Sequence, residues 1–137
     1  MRLRRPPALV LLAATAVAAA GCGQSDDRAT VRATAERFFT AYDADDGEAA
    51  CTALSEDTRT ELESQEKRPC PDAIGEVELK PGAVKHVDVE LTNAKVDLAG
   101  GESLFLAEEA SGWKISALGC KPQGDPTNSP MDCELEA

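Results

Sequence analysis

The hydrophobic period of this chain changes once, at Pro81-Gly82, and that change decides what it can fold into. Before it, Val31, Ala35, Phe38, Phe39 and Tyr42 recur at helical spacing between Thr30 and Asp43, with Arg32, Glu36, Arg37 and Asp43 on the other side. After it, Val87, Val89 and Leu91 alternate with Asp88 and Glu90, and Ala94, Val96 and Leu98 alternate with Lys95 and Asp97. A stripe of period 3.6 buries itself only as a helix, and one of period 2 only as a strand. Helices first and antiparallel strands afterwards predict an α+β fold, with the helices packed on one face of the sheet.

Local signals place the boundaries. Asp45-Asp46-Gly47 breaks the first helix, and Asp46 can cap a second one that runs to Leu54 and buries Ala50, Cys51 and Leu54. Ser55 can cap a third, Glu56 to about Lys67, which is polar apart from Leu62 and is stopped by Pro69-Cys70-Pro71. Asp72 to Glu78 can add one more turn. Between the first two strands, Thr92-Asn93 reads either as a tight turn or as a bulge in one bent strand. Gly100-Gly101 is a hairpin signal, Ser103 to Glu108 the returning strand, and Ala110-Ser111-Gly112 the turn into Trp113 to Leu118. The stretch from Lys121 to Pro130, rich in Pro, Gly, Asp and Asn, predicts no regular structure.

The amino terminus reads as an address. Arg2, Arg4 and Arg5 precede Ala8 to Ala20, a run with nothing more polar than Thr15. It is too short to cross a hydrocarbon core of about 30 Å, but has the length of a secretion signal's apolar region. Ala19-Ala20-Gly21-Cys22 resembles the lipobox of bacterial lipoproteins, in which small residues precede a cysteine that is acylated and becomes the new terminus. The usual branched aliphatic three residues before the cysteine is here Ala19. Ala18-x-Ala20 also suits ordinary secretory cleavage, which would leave all five cysteines in an exported chain. Lipidation of Cys22 leaves an even set. The expected division is a leader at 1–21, a tether at 22–28, a domain at 29–120 and a disulfide-tethered tail at 121–137. A tether that short reaches at most about 20 Å. The expected location is the extracytoplasmic face of the cell membrane, with acyl chains on Cys22 as the attachment.

Cys51, Cys70, Cys120 and Cys133 remain, and in an oxidising compartment they are expected to pair. Of the three connectivities, Cys51–Cys70 with Cys120–Cys133 is favoured, because each pair closes a local loop. Each closure is worth about 3 kcal/mol on loop-entropy grounds. With no C-x-x-C and His86 as the one histidine, neither a zinc site nor a redox motif is expected. The formal charge of −11 becomes more negative when the leader's arginines are lost, which argues against nucleic-acid binding and against electrostatic attachment to anionic lipid.

The order of elements, with Phe38-Phe39-x-x-Tyr42, Asp45-Asp46-Gly47-Glu48-Ala49-Ala50-Cys51 and Gly112-Trp113-Lys114-Ile115 closing the sheet, resembles the NTF2-like superfamily. The nearest likeness is to its small exported lipoproteins of high-GC Gram-positive bacteria. The resemblance covers roughly residues 30–120. It implies a curved antiparallel sheet wrapped around the first helix, an NTF2-like or cystatin-like cone that can hold a pocket.

Members of that superfamily include isomerases and dehydratases that place Asp, Tyr or His in the cone. Here His86 shares strand parity with Asp88 and Glu90 and is expected to face outward. Tyr42 and Phe38 on the helix, with Phe105 and Trp113 on the strands, are the pocket candidates, and each also suits a packed core. Asp43-x-Asp45-Asp46-Gly47 has the wrong register for a calcium loop, since Glu48 stands where glycine is needed. No catalytic residue, cofactor or metal ligand emerges. The expectation is a non-catalytic binding module of the cell envelope, taking a protein partner or a small hydrophobic ligand. The alternative is an NTF2-like enzyme acting on a small apolar molecule.

Overall fold

The structure, a computed structural model, describes residues 22–124 and 130–137; the expected leader lies outside the described residues. Among the described residues four helices come first: α1 (Cys22–Asp43), α2 (Gly47–Thr52), α3 (Glu56–Glu66) and α4 (Cys70–Ala73), the last followed by a 3-10 turn at Ile74–Glu76. Strands β1 (Val84–Glu90), β2 (Asn93–Leu98), β3 (Ser103–Glu109) and β4 (Gly112–Pro122) form an antiparallel meander in sequence order. Two short strands, β5 (Met131–Asp132) and β6 (Leu135–Glu136), then pair with β4. The α+β class is therefore the one that the change of period requires.

The helix caps follow their residues. Asp46 accepts the Ala49 N–H at 3.1 Å and starts α2; Ser55 accepts the Thr58 N–H at 3.1 Å and starts α3. Pro69-Cys70-Pro71 both separates α3 from α4 and opens α4, since a proline in the first turn has no N–H to lose.

Cys51 is bonded to Cys70, and Cys120 to Cys133. The first bridge clamps α2 to α4 where the backbones touch. A Cβ on Gly47 would collide with the carbonyl of Pro71, so only glycine permits that approach.

The core lies between α1 and the sheet. Val31, Ala35 and Phe38 meet Val96, Leu104, Leu106, Ile115 and Leu118, every one of them exposed by 1% or less. The α1 helix contacts β1, β2 and β4.

Beyond β3, the second edge of β4 is completed by three separate segments. Leu54 bridges to Ile115 in parallel, with Ser55 N–H donating to the Ile115 carbonyl and Ile115 N–H to the Ala53 carbonyl, both at 2.8 Å. Next, β6 pairs at Ala117 and Leu118, and β5 at Lys121 and Pro122. Thr58 secures α3 to the same strand by donating to the Ser116 carbonyl at 2.9 Å. The outer edge at β1 carries Lys85, His86 and Asp88, charged and polar side chains of the kind that discourage edge-to-edge pairing.

Three expectations need correction. The helix does not begin after a tether at 22–28; it begins at Cys22. Gly23 to Asp26 are exposed and give no apolar period, yet Thr30 Oγ1 donates to the Asp26 carbonyl and Trp113 Nε1 reaches Asp27 Oδ1 at 3.4 Å. The domain does not end at 120, because β4 continues to Pro122 and Leu135 of the tail is 1% exposed beneath the sheet edge. Leu91 does not continue the inward row of Val87 and Val89. It is 91% exposed, with φ 54°, in the turn Leu91-Thr92 that joins β1 to β2. Tertiary pairing decides all three, and pairing leaves little mark on local periodicity.

Candidate functional site

A broad open groove of about 740 Å³ runs along the side of α1 that faces away from the sheet, bounded by α2 and the first residues of β4. Its α1 wall combines the methyls of Ala33, Ala41 and Ala44 with Arg37 and Thr40. Ala49, Thr52 and Ala53 line it from α2, and Trp113 with Lys114 closes one end. The helical period explains the division of labour on α1: Phe38 and Phe39 turn toward the core, and Glu36, Arg37, Thr40 and Ala44 turn outward.

Several groups in the groove are held in place. Lys114 Nζ donates to the Thr52 carbonyl at 2.6 Å and so ties β4 to the end of α2. Arg37 Nη2 donates to Thr34 Oγ1 at 3.1 Å, and that hydroxyl donates in turn to the Thr30 carbonyl at 3.0 Å. Asp46, at the α2 end, is occupied by its capping bond. Trp113 is 6% exposed, so it serves as wall and not as a protruding anchor. The result is a floor of small apolar side chains rimmed by Arg37, Lys114, Glu36 and Asp46. Close approach by an apolar surface, with orientation set by rim charges, is the chemistry this arrangement offers.

The four aromatic pocket candidates do not converge. Phe38 is fully buried, edge-to-face with Phe39 at 5.2 Å and stacked on Tyr42 at 6.1 Å. Tyr42 donates its hydroxyl to the Val77 carbonyl at 2.7 Å and lines a separate, smaller groove of about 200 Å³ beside Pro71 and Ile74. Phe105 stands between the buried Leu104 and Leu106, so it projects from the opposite face of the sheet, opposite Lys95 in β2. Trp113 alone borders the large groove. The reason is packing: Phe38 is fully buried and fills the space between α1 and the sheet that a pocket would need.

His86 is exposed, as its strand parity predicts. Asp45 adopts φ 55° in the turn after α1 and Asp46 caps α2, which accounts for the aspartate run. Among the described residues no group of three or more His, Cys, Asp and Glu side chains could hold a metal ion. Among them, too, no helix is long and apolar enough to cross a membrane.

Sequence reasoning missed the groove. The signal was present as Ala33 and Ala44 on α1, small residues on a face where a solvated helix ordinarily carries charge. Attention to the aromatic stripe alone leaves that second face unread. No family model, no curated protein and no solved structure matches the chain.

Proposed function

We propose that this protein is a lipid-anchored module on the extracytoplasmic face of the bacterial cell membrane, NTF2-like in architecture, that binds a protein partner of the cell envelope. The observation that carries the reading is the groove between α1, α2 and Trp113, about 740 Å³ and floored by alanines, outside a core that is itself filled. Small side chains let a partner's backbone come close, and the mixed rim charges select its orientation. Binding therefore belongs to the outer groove and not to the interior of the cone.

The NTF2-like assignment is supported by the helices-then-meander order and by contact of α1 with β1, β2 and β4. The anchoring is supported by the apolar run that ends in Ala19-Ala20-Gly21-Cys22, and by cysteine parity. Two disulfides consume four of the five cysteines and leave Cys22 as the remaining thiol.

Each part has its own test. Metabolic labelling with a fatty-acid probe should mark the native chain and not Cys22→Ala; equal labelling of both would end the anchoring claim. A photo-crosslinking residue at Thr40, in the groove, should give a discrete adduct in the living envelope. The same residue at Glu61 on α3 should not. No adduct at Thr40, or the same adduct at both positions, rules out the groove as the interface.

A further inference from the structure

A second groove, of about 540 Å³, lies between the first half of α1 and β1, and its lining runs against the composition of the molecule. The chain carries 25 acidic residues against 14 Lys and Arg. Yet this groove is walled by Arg28 and Arg32, one helical turn apart on α1, and by Lys85 and His86, adjacent on β1. Ala29 and Val87 supply apolar lining, and Asp88 is the single carboxylate there.

The neighbouring anions are mostly engaged elsewhere. Asp97, which feels His86, is bonded to Ser103 and paired with Lys95 at 2.9 Å. Asp27 faces Trp113. Arg32 gives Nη1 to the Val84 carbonyl at 3.1 Å and has Glu36 only at 3.9 Å. Among the described residues, the side chains of Arg28 and Lys85 have neither a hydrogen bond nor an ion pair. Unneutralised cations on two rigid elements, converging on one concavity, are the donor set of an anion site.

We propose that this groove binds a phosphate group. Guanidinium forks match phosphate oxygens in two-point contacts, the Lys85 ammonium adds a point charge, and the imidazole of His86 adds a further donor. Several cations against one carboxylate suit a phosphate mono- or diester, whose tetrahedrally arranged oxygens can be reached by several donors from different elements at once. The group can come from a soluble phosphate ester or from an anionic phospholipid headgroup. Arg28 lies about 9 Å along the helix from Cys22. The lipid source rests on the proposed anchoring of Cys22; the soluble source does not.

The test uses the full chain, isotope-labelled, in nanodiscs of phosphatidylcholine. Arg, Lys and His side-chain resonances are followed in three settings: these discs alone, discs containing phosphatidylglycerol, and the plain discs titrated with inorganic phosphate. Shifts confined to Arg28, Arg32, Lys85 and His86 are expected. The Arg28→Gln/Lys85→Gln double variant should weaken them about twenty-five-fold, near fivefold for each charge removed, while Arg59→Gln on α3 should change nothing. Both substituted side chains are exposed, and an unchanged backbone amide spectrum verifies the fold. Response to phosphatidylglycerol alone assigns the lipid headgroup, and response to inorganic phosphate alone assigns the soluble source. The second result sinks only the lipid source and leaves the site standing. No response to either probe up to about 1 mM phosphate, the upper end of the usual range for substrate affinities, or shifts that persist in the double variant, overturns the proposal.

Discussion

The ammonium of Lys121 stands 3.4 Å from the carboxylate of Glu102, which is 2% exposed. The other oxygen of Glu102 accepts the Lys80 N–H at 3.0 Å, while Oε1 accepts no hydrogen bond and has only this cation for company. Glu134 meets the same ammonium from the tail, also at 3.4 Å. One lysine thus joins the β2–β3 turn, the end of β4 and the tail beside the Cys120–Cys133 bridge.

The Glu102 carboxylate is the main cause that raises the Lys121 pKa above the ordinary lysine value; burial opposes it, and Glu134 adds to the rise. A raised pKa means that the pair's contribution is complete below the ordinary lysine range and is lost as pH climbs through the higher folded value. Stability should therefore drop on the alkaline side, and Lys121→Met should remove that alkaline component while lowering stability at neutral pH, where Glu102 is left buried and unpaired. Denaturant melts across pH 8 to 12, roughly the span of lysine titration, measure it. Parallel curves for the two proteins would count against the pairing.

Asp97 gives the opposite sign. Burial disfavours its charge, but the Ser103 hydroxyl at 2.7 Å and the Lys95 ammonium at 2.9 Å, with His86 beyond them, hold the carboxyl below the usual aspartate range. Its contribution is present above the ordinary aspartate value and is lost as pH falls through the lower folded one. Ser103→Ala should move the Asp97 titration upward, read from the carboxyl carbon by NMR. A titration that stays put would show that the hydroxyl has no hold on it.

Gly47 should tolerate no side chain. In Gly47→Ala the new methyl meets the Pro71 carbonyl, which the Cys51–Cys70 bridge keeps from moving away. Overpacking of this kind costs about 1–3 kcal/mol. A urea midpoint equal to that of the native chain would mean that α2 and α4 can separate freely.

Leu91 should be replaceable with profit. It holds a left-handed conformation that costs a non-glycine residue about 1–2 kcal/mol, and at 91% exposure it returns almost no burial. Leu91→Gly is expected to stabilise the chain by about 1 kcal/mol, once the glycine's greater freedom when unfolded is counted. Differential scanning calorimetry would register this as a higher Tm. A lower one would mean that the leucine has a contact in the folded protein that outweighs its strain.

Sequence alone determined the order of helices and strands, the caps at Asp46 and Ser55, the turns at Gly100-Gly101 and Ala110-Ser111, and the local pairing of Cys51 with Cys70 and Cys120 with Cys133. Each of these depends on residues close together in the chain, where periodicity, side-chain capping and loop length act directly. Tertiary structure decided the rest: the start of α1 at Cys22 with Asp27 beside Trp113, the turn at Leu91, the closing of the β4 edge by Leu54, β6 and β5, and the filling of the core by Phe38. It also assembled both grooves, one from Ala33, Ala49 and Trp113, the other from Arg28, Arg32, Lys85 and His86. Those residues become neighbours only when strand register and helix packing bring distant segments together, and no local pattern encodes that meeting.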